Sequence, residues 1–266
     1  MKANHFFIAL AAISLTMMGC KGNESKNFNY SADTTLAELS GEEARAYEFV
    51  DLGCTIQRED ATYRIFWATA NVADDYEKFN NPADLGGHYA WAENSEKEAY
   101  NWKSYKYIKT ATNLSAFKKY PWDDSQSKPK PTDGLVVLQL KDDAANYNWD
   151  FVRTPAMDSW QWLIDNCSWD WTELNGVTGY AVTGKTGKSI FLPAAGVKSG
   201  ENHVNKGSIG CYMSRDLADP VVVSGSNQYT QAKCISFNPT QRVAGVQYRY
   251  IGMSVRAVYE QKLVEE

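Results

Sequence analysis

Hydrophobic and polar positions along this chain form many short strand-like stretches and few helical ones. Tyr63-Arg64-Ile65-Phe66-Trp67 alternates and is rich in aromatic and β-branched residues, which predicts a strand. Glu48-Phe49-Val50-Asp51 reads as an earlier one. Gly179–Thr183 and Ser189–Pro193 flank Gly184-Lys185-Thr186-Gly187, which predicts a hairpin with turn residues in the middle. Further strands are expected at Pro220–Val223, Ala232–Phe237 and Ser254–Val258. One stretch carries the helical period. Thr154-Pro155 offers a cap and a proline suited to the first turn. Met157, Trp160, Leu163, Ile164 and Cys167 then share one apolar face, and the helix should stop near Asn166. A Ser40-Gly41-Glu42-Glu43 capping box predicts a short helix through Ala44 to Tyr47.

Between Ala73 and Lys130 neither period holds, and Asn80-Asn81-Pro82, Gly86-Gly87 and Pro121 interrupt the chain. Tyr89, Trp91, Tyr100, Trp102, Tyr105 and Tyr107 lie in this stretch, so it is expected to be an ordered excursion pinned by rings. Few helices with many short strands predict an α+β fold dominated by antiparallel sheet. No internal repeat has a fixed period.

The N-terminus changes the picture. A short basic start is followed by an apolar run from Phe6 to Met18, then Gly19-Cys20. The run is too short for a spanning helix, which needs about 20 apolar residues. It has the form of a secretory leader. Leu15-Thr16-Met17-Met18-Gly19-Cys20 resembles the bacterial lipobox, in which the Cys is lipidated and the chain is cut before it. Residues 1–19 are therefore expected to be removed, with 20–45 forming a lipidated Cys20, a polar tether and the short helix. The folded domain is expected over 46–259, with a tail at 260–266. Two or more acyl chains hold a protein stably on a bilayer. The expected location is the outer membrane, facing the surface or the periplasm.

Charge and cysteine usage narrow the partners. The chain carries 27 Lys+Arg against 32 Asp+Glu. This mild acidity argues against a nucleic-acid ligand, which needs a basic face. All nine Trp fall between Trp67 and Trp171, which suits an aromatic core with some rings left for stacking on sugars or gripping a protein. Cys54, Cys167, Cys211 and Cys234 show no zinc-type spacing. In an exported chain four Cys allow three disulfide pairings. Cys211–Cys234 with Cys54–Cys167 is the favoured set, and free buried thiols are the alternative.

No catalytic motif stands out. The sequence has no Gly-x-Ser-x-Gly elbow, His-Glu-x-x-His, phosphate loop or Asp-x-Asp-x-Asp-Gly calcium loop. His88 and His203 read as surface or turn residues. The carboxylate pairs Asp74-Asp75, Asp123-Asp124 and Asp142-Asp143 read as solvated turns. Asp123-Asp124 beside Trp122 and Ser125 offers oxygen ligands of the kind calcium prefers. A polysaccharide-acting enzyme would draw on Asp123, Asp142 or Asp143. Tyr212–Asp216 and Ser224–Tyr229 are polar-aromatic segments with the residue types of recognition loops.

Several motifs occur in a fixed order: Phe66–Val72, Gly87–Glu93, Asp142-Asp143-Ala144-Ala145, Arg153-Thr154-Pro155, Asn166–Trp169, Gly179–Gly184, Ser189–Gly196 and Gly252–Val258. Together they resemble the Fibrobacter succinogenes major paralogous domain family, from about Tyr47 to Val258. The resemblance implies a C-type-lectin-like fold, similar to the formylglycine-generating-enzyme group, on a surface lipoprotein. It implies binding or adhesion rather than catalysis, with no cofactor and no resident metal. From the polar-aromatic loops themselves, the expected ligand positions are Tyr212, Arg215, Asp216, Asn227, Tyr229, Tyr248 and Tyr250, and the ligand is a glycan or a protein. An accessory or tip subunit of a surface fibre is the alternative. This chain departs from the family pattern at Ala70, where a Cys is common, so that Cys54 would take over as bridge partner. It also departs at Phe151–Pro155 and at Met213-Ser214-Arg215, and the last falls in the expected ligand loop. The Cys211 to Cys234 spacing does not match the closely spaced pair of the formylglycine-generating enzymes.

Overall fold

The computed structural model describes residues 26–264 except 44, 76–77, 111–112, 121, 124–129, 132, 134, 220, 224–225 and 229. The expected leader and Cys20 lie outside the described residues. No helix among the described residues is long and apolar enough to cross a membrane.

The fold is α+β with antiparallel sheet predominating, as the pattern predicted. One sheet orders Thr34–Thr35, Glu48–Gln57, Thr62–Ala68 and Val258–Lys262. A second orders Gln241–Tyr248, Gln231–Asn238, Gly210–Leu217, Met253–Ser254 and His88–Tyr89. A third orders Ser189–Pro193, Val177–Thr183 and Ser168–Leu174. The pairing of Tyr212 with Ser254 is parallel, and it sets the C-terminal segment beside the centre of the second sheet.

Several boundaries differ from the expectation for physical reasons. The first helix, α1, spans Leu36–Ser40 and is closed by a Thr35–Glu38 capping box, not by Ser40–Glu43. It stops because Gly41 sits at φ 70, a left-handed position that suits glycine. Leu36 is fully buried and the Asp33 N–H bonds to the Phe49 carbonyl, so this part of the expected tether is built into the domain. The tail is shorter than expected too, since the last strand runs to Lys262. A second helix, α2 (Ala144–Trp149), was not foreseen. Its cap is Asp143, whose carboxylate accepts from the Ala145 N–H. The third, α3 (Met157–Asn166), ends where expected but is capped by neither Thr154 nor Pro155.

The largest departure is the Gly210–Leu217 strand. Its side chains are almost all buried, where recognition-loop chemistry had been expected. Its register slips between Met213 and Leu217. The Met213 carbonyl accepts from the Trp160 indole and the Ser214 carbonyl from the Trp91 indole. A strand with both faces covered shows no alternation to read.

Two apolar clusters make up most of the core. One packs Phe49, Phe66, Tyr89, Trp91, Tyr120 and Trp149 between the first two sheets and α2. The other packs Val50, Ile65, Trp67, Trp160, Tyr180 and Phe237 beneath α3 and the third sheet. The hairpin turn after Thr183 docks on the first sheet. A Cβ on Gly184 would lie 2.2 Å from the Leu52 carbonyl oxygen, so only glycine permits this approach.

The four cysteines are free thiols, so the expected bridges are not formed. The expected partners are nevertheless neighbours. Cys211 and Cys234 lie on adjacent strands and perturb each other's titration, and the Ser236 hydroxyl donates to Cys211. Cys54 senses Cys167, although burial is the main reason its thiol titrates high.

His88 is a second correction, being buried where a surface residue was expected, while His203 is exposed. The two rings meet edge to face at 4.7 Å. Burial, then the His203 ring and Lys198, pull the His88 pKa down to about 3. The unfolded imidazole takes up its proton near 6.5. Between those values the unfolded chain binds a proton that the folded chain rejects. Stability is therefore full above about 6.5 and falls as pH drops, by up to about 1.4 kcal/mol per pH unit. Urea unfolding should show a loss of about 2 kcal/mol from pH 7 to pH 5 that His88→Gln largely abolishes. An equal loss in both proteins would exclude His88 as its source.

Candidate functional site

Two of the positions expected to bind ligand, Tyr248 and Tyr250, lie at one end of the edge strand of the second sheet. Tyr248 ends the Gln241–Tyr248 strand, and Tyr250 follows after one residue. Their rings stack at 5.6 Å with an interplanar angle of 8°. Trp102 meets Tyr250 at 4.7 Å and Tyr248 at 6.2 Å, both edge to face. All three rings are half-buried; Trp102 and Tyr250 pack on a small cluster with Tyr105, Ile108 and Phe117, and Tyr248 on the first core cluster. Asn227 lies on the Ser226–Gln228 strand, which pairs with Val221–Val223 and runs beside Asn113–Phe117. Tyr229 lies outside the described residues.

The remaining three positions do not join this patch, which corrects the expectation for them. Tyr212 is fully buried, and its hydroxyl donates to the Pro193 carbonyl at 3.0 Å. Arg215 is buried and pairs with Glu260 at 2.9 Å. Asp216 accepts from the Met157 N–H at 2.5 Å and from the Ser214 hydroxyl, so it caps the start of α3 from another strand. These are structural duties. Mid-strand residues on a covered strand cannot reach a ligand.

Tyr212 belongs to a buried polar network. The Asn71 amide nitrogen donates to the Tyr212 hydroxyl at 3.1 Å and to the Leu85 carbonyl at 2.9 Å. Its oxygen accepts from Arg256 Nε at 3.0 Å. Arg256 also donates to the Ala68 carbonyl at 2.9 Å and the Phe191 carbonyl at 2.7 Å. Burial pulls the Arg256 pKa down to about 10, which still leaves it charged at neutral pH. The same burial pushes Tyr212 up to about 12.

The carboxylates considered for catalysis are also spoken for. Asp142 is buried and accepts from Tyr107 at 2.9 Å, from Tyr120 at 2.8 Å and from Lys119. Asp143 is fully buried and accepts from the Ala145 N–H and from the Thr154 N–H and hydroxyl. The adjacent pair thus pins the excursion and anchors α2; it is not a solvated turn. Asp123 pairs through its backbone with Lys130, and Asp124 and Ser125 lie outside the described residues. Among the described residues no three His, Cys, Asp or Glu converge to hold a metal ion.

Beneath the aromatic patch lies Arg249, also fully buried. Its guanidinium is 5.2 Å from the centre of the Trp91 ring and 4.2 Å from that of Phe117. One Nη donates to the Tyr120 carbonyl at 3.0 Å; Nε and the other Nη have no close hydrogen-bond partner among the described residues, and the Tyr105 hydroxyl interacts with the group. Sequence reading missed both Arg249 and Trp102 as site residues. The available signal was Tyr-Arg-Tyr at 248–250, two rings around a cation.

Compared with family models, with curated proteins and with solved structures, the chain finds no match in any of the three.

If Tyr212 and Arg256 are structural, their substitution should act on stability. Arg256→Met strands the Asn71 and carbonyl acceptors and should cost about 3–5 kcal/mol. Tyr212→Phe should cost about 1–2 kcal/mol. Urea unfolding checks both. Unchanged stability in either variant would contradict the network.

Proposed function

We propose that this chain is a non-catalytic binding module with a C-type-lectin-like domain, displayed at the outer membrane by a lipid on Cys20. The observation that carries the reading is the half-buried patch of Trp102, Tyr248 and Tyr250. Rings held by packing bind at low entropic cost and suit stacking on sugar faces or gripping a protein. The ordered motifs that resemble the Fibrobacter succinogenes major paralogous domain family support the lectin-like reading, and the lipobox-like segment supports the anchor. The engagement of Asp142 and Asp143 in structural bonds weakens the case for a polysaccharide-cleaving enzyme.

A second reading, an accessory subunit of a surface fibre, has one observation in its favour. The Gln241–Tyr248 strand is the edge of its sheet and carries exposed Val243 and Val246. An open edge is a template for strand addition by a partner.

The test uses the full chain in detergent micelles, screened on immobilised glycans and proteins with and without calcium. A specific ligand should be found, and Trp102→Ala with Tyr250→Ala should weaken it by about tenfold or more. Undiminished affinity in that variant would move the site elsewhere. For the anchor, labelled palmitate should enter the wild-type protein in cells and not Cys20→Ser. Equal labelling of the two would refute lipidation at Cys20.

A further inference from the structure

The charge around the patch says what kind of ligand suits it. Residues 99–120 contain five Lys (103, 106, 109, 118 and 119) and no Asp, Glu or Arg, in a chain with an overall excess of acid. The same stretch holds Tyr100, Trp102, Tyr105, Tyr107, Phe117 and Tyr120. Rings and cations are thus interleaved.

The fold keeps the rings inward and sends several cations outward. Lys103, Lys106 and Lys118 are exposed. None of the three is ion-paired to a carboxylate among the described residues. Lys103 adjoins Trp102 in the chain. The Lys106 ammonium lies 5.2 Å from the centre of the Tyr107 ring. The Lys118 N–H bonds to the Tyr107 carbonyl at 2.7 Å, which sets its backbone beside that residue. The nearby acids are largely neutralised: Glu93 by Lys97 at 2.7 Å, Glu96 by Lys198 at 3.1 Å and Asp142 by Lys119. Asp133 is occupied by the Tyr120 and Leu135 N–H groups. Glu98 is exposed at the margin, as are Glu96 and Asp133.

Arg249 adds a fixed cation from below; it forms no direct ion pair among the described residues, although the Tyr105 hydroxyl and the Asp133 carboxylate act on it electrostatically. The faces of Trp91 and Phe117 stabilise it only in part. Its field therefore reaches the surface through a low-dielectric layer of rings, where it is screened less than in water.

We infer that the Trp102, Tyr248 and Tyr250 patch takes a polysaccharide that carries fixed negative charge on its sugar rings. The rings stack on the aromatics, and the charges face Lys103, Lys106 and Lys118. This inference rests on the binding reading above and names its ligand class. A single exposed ammonium contributes little, but repeated charges along a polymer engage several at once.

The test compares two forms of one polymer on the full chain in detergent micelles: polygalacturonate, and the same backbone with its carboxyl groups methyl-esterified. The stacking faces are the same and only the charge differs. Polygalacturonate should bind about tenfold or more tighter, and added salt should erase most of that difference. The combined Lys103→Gln, Lys106→Gln and Lys118→Gln variant should lose the preference while melting at the wild-type temperature, because these side chains are exposed. Equal binding of the two polymers, lost on Trp102→Ala, would overturn the anionic class and leave the patch as the site. Tighter binding of oligothymidylate than of polygalacturonate would overturn it in favour of nucleic acid. No binding of any of these polymers would overturn it as well, and would send the binding reading back to the wider glycan and protein screen.

Discussion

A buried arginine with no carboxylate partner among the described residues ties the C-terminal segment to the first and third sheets. Arg256 is fully enclosed, and its donors reach the Asn71 side chain and the carbonyls of Ala68 and Phe191. A charge in the interior is tolerable only if its donors are satisfied in good geometry. Here the acceptors come from two separate segments, one carrying Ala68 and Asn71 and the other Phe191, so both must be in place at once. Asn71 then commits Tyr212 and Leu85, and Tyr212 commits Pro193. The network fixes where the C-terminal segment lies against the first sheet. Everything built on that segment inherits its position, including the loop that carries Tyr250.

This arrangement changes what the ordered motifs mean. Phe66–Val72 supplies Ala68 and Asn71, Ser189–Gly196 supplies Phe191 and Pro193, and Gly252–Val258 supplies Arg256. The segments that carry the ordered motifs are those that build its interior. They specify a scaffold, and a scaffold does not name a ligand. The surface aromatics and lysines lie largely outside those motifs, in the excursion between Tyr100 and Tyr120 and at Tyr248–Tyr250. Asp142 links the two layers, because it is buried in the scaffold yet receives Tyr107, Lys119 and Tyr120 from the excursion.

How far each element was legible follows from its burial. The Thr62–Ala68 strand and the hairpin around Gly184–Gly187 stand out because turn residues and β-branched or aromatic runs mark them locally. Helix α3 stands out because one face is apolar at helical spacing. The Gly210–Leu217 strand does not, because Ser214, Arg215 and Asp216 make it look like a loop. Their polar atoms are answered by Asp216, Glu260 and the start of α3, which are remote or invisible as partners in sequence. The same blindness made Tyr212 look like a contact residue and His88 like a surface one.

The sequence alone determined the α+β class, the hairpin, the end of α3 and the presence of an aromatic excursion, because each depends on neighbours within a few residues. It also carried the leader-like pattern and the absence of the common catalytic motifs. Tertiary structure alone decided which polar residues are interior. It brought Trp102 against Tyr248 and Tyr250 across nearly 150 residues of chain, and it left Arg249 enclosed beneath them. Stacking, buried hydrogen bonds and charge compensation depend on distance in space, and no local pattern encodes distances between segments so far apart.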